Sequence, residues 1–410
     1  MKNIVLLFLL SFSFSIYSQT NLEEVFSNKL NTKREIIVKL PNSYGTNPEK
    51  KYPLLLVLDA EYLFMPFEAN MAYGNYWDDM PDVIIVGINQ NKKNERYDDS
   101  EFDPATGLPV KNGAMFFEFI GAELLPYLEK KYRVAPFKII AGLDSTAGLL
   151  NAFLLKENPI FNAYISLSPE LAAGMEDRIP ARLASLKTPV FYYQATADGD
   201  LKKFQDQIKY LDEKIAAIKN PELRYKFDNF KSDSHYSLVL KAIPNALYHI
   251  FSIYQPISPV EYQEKIAKMP NDFTTYLIDK YDIIEKYLGI KMPIRLNDFK
   301  AIEAAAIQFN APEEFERLAQ LSGQQYEKTM LPDYHMAMYY EKRNEYKKAV
   351  KFYQSSFMKE PIGDLTKDMM MNKAEDLKKF LPKKGSKKGK EEVIEEPAPT
   401  ETPTEEKKPE

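Results

Sequence analysis

The chain has 410 residues, enough for one large domain of about 200–250 residues and a second unit. Apolar residues make up 45%, with 27 Tyr and 25 Phe, so a sizeable core can form, while a net charge of −5 gives no basic excess for nucleic acid. The absence of Cys excludes disulfides, thiolate metal sites, a cysteine nucleophile and a lipid anchor through Cys, and leaves the redox compartment open.

Met1-Lys-Asn is a short positive segment, and Ile4 to Leu10 is an apolar run continued by alternating Ser and Phe to Ile16. Ser18 offers a small residue for cleavage, so residues 1–18 are expected to be a secretory signal peptide. No later segment is long and apolar enough for a transmembrane helix. An exported protein, periplasmic or secreted, is the expectation.

Residues 19–257 read as alternating strands and helices. Arg34–Leu40 alternates as a strand, and Tyr52–Leu58 is a near-continuous apolar strand ending at Asp59. Val83–Val86, Phe137–Ile140, Ala163–Leu167, Val190–Tyr193 and Leu223–Phe227 follow. Between them, Phe116–Tyr132, Phe204–Ile218 and Leu238–Ile253 carry apolar residues at helical spacing. The aromatic-rich Glu61–Trp77 stretch reads first as a core helix and second as the lining of an apolar pocket. This order predicts an α/β fold with a mostly parallel sheet and helices on both faces. Sites in such sheets gather at the carboxyl ends of strands. Asp59, the Asp144-Ser145 turn and the Asp198-Gly-Asp200 turn all fall there.

From residue 258 the strands stop, and residues 258–381 are expected to form a smaller all-α domain. Asn271-Asp272 and Asn297-Asp298 are candidate helix caps, and Pro312 suits the first position of a third helix. Ala337, Tyr340, Asn344, Tyr346, Ala349, Tyr353 and Pro361 then follow the spacing of one tetratricopeptide hairpin, a candidate surface for a protein partner; a plain helical hairpin is the alternative. Residues 382–410, a Lys/Gly block followed by Glu, Pro and Thr, are expected to be a disordered charged tail.

Several segments between residues 30 and 255 resemble the putative-esterase family of α/β-hydrolases, the group with enterochelin-type and S-formylglutathione-type esterases. They are Val38-Lys-Leu-Pro-Asn-Ser-Tyr44, Tyr52-Pro-Leu-Leu-Leu-Val-Leu-Asp59, Val83-Ile-Ile-Val-Gly-Ile88, Phe117–Pro126 with Tyr132-Arg, Ile140-Ala-Gly142 and Ser234-His-Tyr-Ser-Leu-Val239, in the family's order. The resemblance implies ester hydrolysis through a serine acyl-enzyme, with a Ser/acid/His triad in that chain order. A small-molecule ester is then the expected partner, and no cofactor or metal is called for.

His235, before the last helix of this region, stands where the family keeps its general base, whereas His249 and His335 fall inside helices and read as structural. Asp198 or Asp200 is the orienting acid, with Asp198 preferred. The nucleophile turn is Gly142-Leu-Asp-Ser-Thr-Ala-Gly148. With Asp144 at its tip, Gly142 fits two positions before, but β-branched Thr146 crowds two positions after. With Ser145 at the tip, Leu143 crowds instead. Three readings stay open: a serine esterase using Ser145, an aspartate nucleophile at Asp144, or a decayed esterase-fold protein kept as a binding module. The backbone donors of an oxyanion hole would lie after the nucleophile and near Ala60 or Glu61.

Overall fold

The structure, a computed structural model, describes residues 20–382. The signal-peptide segment and the tail beyond Pro382 lie outside the described residues. The chain divides into two compact units, one ending at Phe309 and one beginning at Asn310.

The first unit is built on eight strands in the order β1-β2-β4-β3-β5-β6-β7-β8. They are Thr20–Ser27, Thr32–Lys39, Tyr52–Val57, Ile84–Ile88, Val134–Leu143, Ala163–Leu167, Val190–Gly199 and Leu223–Ser234. β1 and β2 run antiparallel to their neighbours; every other pair is parallel. β3, β4 and β6 are buried along their whole length. That is why their sequences are unbroken apolar runs: helices cover both faces.

Side-chain alternation sorts the two layers. Leu54, Leu56, Ile84, Val86, Ile140 and Tyr192 share one face and one core with Phe116, Leu150 and Leu211 from helices. Phe191 points the other way and meets the rings of His249 and Tyr287, with centroids 6.1 and 6.2 Å apart. The aromatic-rich stretch is the helix Ala60–Tyr76. Phe64 and Phe67 enter the core, as the first reading required, while Tyr62, Tyr73, Tyr76 and Trp77 stay exposed.

Tyr287 also moves a boundary. The helical domain expected from residue 258 does not begin there. Helices Pro259–Glu264, Phe273–Leu288 and Leu296–Gln308 belong to the first unit, and the second of them covers the sheet face at Phe191 through Tyr287. Asp298 does not cap its helix but lies inside it, accepting from the Ile257 N–H and the Tyr281 hydroxyl.

The second unit is all helical: Pro312–Gln325, Leu331–Lys342, Tyr346–Ser355 and Lys367–Lys378. Pro312 opens its helix as expected. Ala337 and Ala349 are fully buried, so two helices approach closely as a hairpin. Tyr353 fills the seam and donates to Glu341, while half-buried Tyr340 stacks on Phe352. His335 is buried with Nδ1 3.0 Å from Ser322 Oγ, a packing role.

Candidate functional site

The carboxyl ends of β3 through β8 converge on one cluster. β5 ends at Leu143 and the helix Ser145–Leu154 begins at once, so the single residue Asp144 makes the turn. Its backbone has φ 59° and ψ −117°. This is neither the αR, the β nor the αL region, and a non-glycine residue is held there only by its surroundings. The Asp144 N–H donates to Leu167 O, and Asp144 O accepts from the Gly148 and Glu170 N–H groups. Asp144 therefore occupies the tip of the elbow.

Gly142 is required two positions before it. A Cβ there would lie 2.8 Å from Thr146 Oγ1 and 2.9 Å from the Thr146 carbonyl carbon. Thr146, expected to crowd the turn, is instead accommodated. The space left by Gly142 admits its side chain, and Thr146 Oγ1 accepts from the Leu143 N–H at 3.0 Å and donates to Asp59 at 2.5 Å.

Ser145 is not at the tip. It is the first residue of the helix, 7% exposed, and its buried hydroxyl has no hydrogen-bond partner. The register that would make Ser145 the nucleophile is thus not the one adopted.

His235 follows β8, with Nδ1 2.7 Å from Asp200 Oδ1. Asp200, not the preferred Asp198, is the partner of the ring. Asp200 is also held by the hydroxyls of Ser168 and Thr196 and by the Ala197 N–H. Burial opposes its ionisation, but these bonds, led by that with His235, keep its carboxyl below the usual range. Asp198 lies on the surface and meets Lys231 and the Ser232 N–H on β8. A register shift between Ala197 and Gly199 separates the two carboxylates.

The Asp200 bond raises the pKa of His235; burial works against it, and Asp144 adds to the rise. A ring whose folded pKa exceeds its unfolded value adds stability that is complete below the unfolded pKa and is lost as pH rises through the folded one. In an NMR titration the His235 midpoint therefore lies above that of an ordinary histidine. Asp200→Asn lowers it, and Asp198→Asn leaves it in place. A midpoint that follows Asp198 instead would reverse the assignment.

The residue missed by sequence reasoning is Arg96, from the helix Glu95–Asp99 after β4. It is buried, with Nε 2.7 Å from Asp59 Oδ1, Nη2 2.7 Å from Leu143 O and Nη1 3.5 Å from Asp144 Oδ2. Asp59 is completely buried; burial raises its pKa, while Arg96 and Thr146 counter this. The Asp59 N–H donates to Gln90, which donates to Asp99, and Asp99 is paired with Arg34 of β2. The available signal was positional: Arg96 lies in the loop after a buried strand, at the site end of the sheet. Ser145 and Ala60 open helices, so their N–H groups have no intrahelical acceptor and lie on the two turns where oxyanion donors were expected.

This strand order, with a tight turn after β5, an acid after β7 and a histidine after β8, defines an α/β-hydrolase. The chain belongs to the family described as Putative esterase, which matches residues 27–240. An uncharacterised protein from Capnocytophaga ochracea is 32% identical, covering 88% of this chain and 100% of that one, with a TM-score of 0.80. An IroE-like serine hydrolase from Shewanella oneidensis is 18% identical over 80% of this chain and 99% of its own, with a TM-score of 0.56. The BES protein from Bacillus cereus is 20% identical over 57% and 96%, with a TM-score of 0.50. The last two show the fold alone. No curated protein matches the chain.

Proposed function

We propose that this esterase-family domain binds its ligand without acylating on serine, in an exported protein whose helical unit offers a second surface for a partner. The observation that carries this is the elbow itself: a carboxylate, Asp144, stands at the nucleophile tip beside Arg96, while the Ser145 hydroxyl is buried one residue away. Carboxylate attack on an ester carbonyl would only exchange an ester for a more reactive anhydride. Export is the reading of the first 18 residues, and the mass of the mature protein, starting at Gln19, reports on it.

The test is hydrolysis of p-nitrophenyl acetate by the wild type and by Ser145→Ala. Both are expected at the background rate. Turnover in the wild type that Ser145→Ala abolishes would overturn the reading, since losing a working serine costs about 10⁶ in turnover.

A second reading has one observation in its favour: the His235–Asp200 pair is intact and feels the charge of Asp144. An Asp144 carboxylate could displace a leaving group from a saturated carbon, giving an enzyme ester. Water deprotonated by His235 would then hydrolyse that ester. Turnover of an alkyl halide or epoxide that disappears in Asp144→Asn would favour it.

A further inference from the structure

The helix Ala60–Tyr76 carries apolar residues on two opposite sides. Leu63, Phe64, Phe67, Met71 and Gly74 are buried on the side that faces the domain. Tyr62, Met65, Ala69, Tyr73 and Tyr76 recur at spacings of three, four, four and three, which sets them in one stripe, and all five are exposed. An ordinary surface helix puts its charges there. The only charged residues of this helix, Glu61 and Glu68, stand on its flank and are already used. Glu61 accepts from the Gln90 and Asn91 N–H groups, and Glu68 pairs with Lys39 at 3.0 Å. Trp77 continues the patch, its ring 5.1 Å from that of Tyr76.

The amount of surface and its pattern both point to a second copy of this chain. Tyr62 is 43% exposed, Met65 69%, Tyr73 64%, Tyr76 79% and Trp77 59%. At about 200 Å² for a whole large side chain, these exposures leave roughly 600 Å² in water. A stable dimer buries about 800 Å² on each partner. The stripe supplies most of that, and exposed Ala69 and Ala72 add to it. The pattern is also its own complement. A two-fold axis through Ala69 sets Tyr62 against Tyr76 of the second copy, Met65 against its Tyr73, and Ala69 against Ala69. The small residue then falls where the two backbones come closest, and the large ones fill the seam on either side. The stripe holds no charge, so two identical faces meet without repulsion. A different protein would impose no such symmetry.

We infer that the chain forms a two-fold dimer through antiparallel packing of the helix Ala60–Tyr76 against its copy. Tyr62 is the end of the stripe nearest the elbow, its N–H donating to Asp59 O at 3.2 Å. Each copy therefore brings the Tyr76 end of its helix to the edge of the other's candidate site. The inference is independent of the chemistry at Asp144.

The experiment is sedimentation velocity on the full chain across a range of concentrations. The wild type is a dimer at micromolar concentration. Ala69→Glu sets two carboxylates against each other on the axis and makes the protein monomeric. Met65→Lys and Tyr73→Glu each weaken association at least about 30-fold. Both together in one chain recover about tenfold of that loss, because the new lysine of one copy then faces the new glutamate of the other. That recovery also shows that the single variants fold. Leu22→Lys, at an exposed apolar residue of the edge strand β1, leaves the dimer intact. A monomeric wild type overturns the inference. So does a dimer that survives Ala69→Glu, one that Leu22→Lys dissociates, or a double variant no tighter than its parents.

Discussion

The Asp144→Ser protein turns over p-nitrophenyl acetate, and adding His235→Ala removes that turnover again. Everything around the tip except its side chain already has the required form. The backbone at Asp144 holds the strained turn, with Gly142 making room for it. His235 has its Nδ1 on Asp200, which fixes the ring and directs Nε2 away from that acid. The N–H of Ser145, first in its helix, is available to a developing oxyanion. A hydroxyl at position 144 would therefore meet a base and at least one donor. The expected rise is about 10³-fold over the wild type, short of the roughly 10⁶ a serine supplies in a fitted site. The shortfall follows from Arg96, which is placed to neutralise a carboxylate and would remain. No rise in a protein that melts like the wild type would show that the surroundings of the tip do not support a serine nucleophile there.

Arg96→Ala has the largest expected effect on stability. Asp59 is completely buried, and Arg96 and Thr146 each donate to one of its carboxylate oxygens. Removing the guanidinium leaves a buried charge uncompensated, at a cost of about 3–5 kcal/mol. For a unit of this size that is roughly a 10 °C fall in melting temperature. Asp59→Asn added to Arg96→Ala recovers most of the loss, a coupling that a double-mutant cycle measures directly. The pH dependence has a definite sign. Burial already raises the pKa of Asp59 above its unfolded value, and losing Arg96 raises it further. The folded variant then binds more protons than the unfolded chain, so it gains stability as pH falls and loses it as pH rises. A loss that does not change with pH would point to lost packing instead.

Much of this could be read before any coordinates. Tyr52–Leu58 and Ala163–Leu167 are apolar at nearly every position because both faces are covered. Such runs are hard to mistake. β1 was missed for the converse reason: Thr20–Ser27 is an edge strand with only Val25 and Ser27 buried, and its two glutamates hide the pattern. The choice between Asp198 and Asp200 was beyond reach because a register shift between Ala197 and Gly199 decides it, and Asp-Gly-Asp carries no mark of that shift. The elbow was ambiguous because Thr146 breaks a steric rule. Its hydroxyl then finds Asp59, 87 residues away in the chain, a partner no local pattern reveals. Arg96 was invisible for a similar reason. One arginine among lysines and acids gains meaning only when folding sets it beside Asp59 and Asp144.

The strand order has a consequence for how such a site changes over generations. Asp59, Arg96 and Asp144 hang from β3, β4 and β5, the middle of the sheet, where each strand is laced to neighbours on both sides. His235 hangs from β8, the outermost strand, joined to the sheet through β7 alone. The inner group is locked in by the same contacts that keep the domain folded. The outer one is free to drift, since altering it disturbs a single ladder. Here the inner group includes the Asp144 carboxylate at the tip of the turn, and the outer strand carries His235. Asp200, the partner of that ring, follows β7, which is paired on both sides, so within the pair only His235 sits where a change disturbs a single ladder.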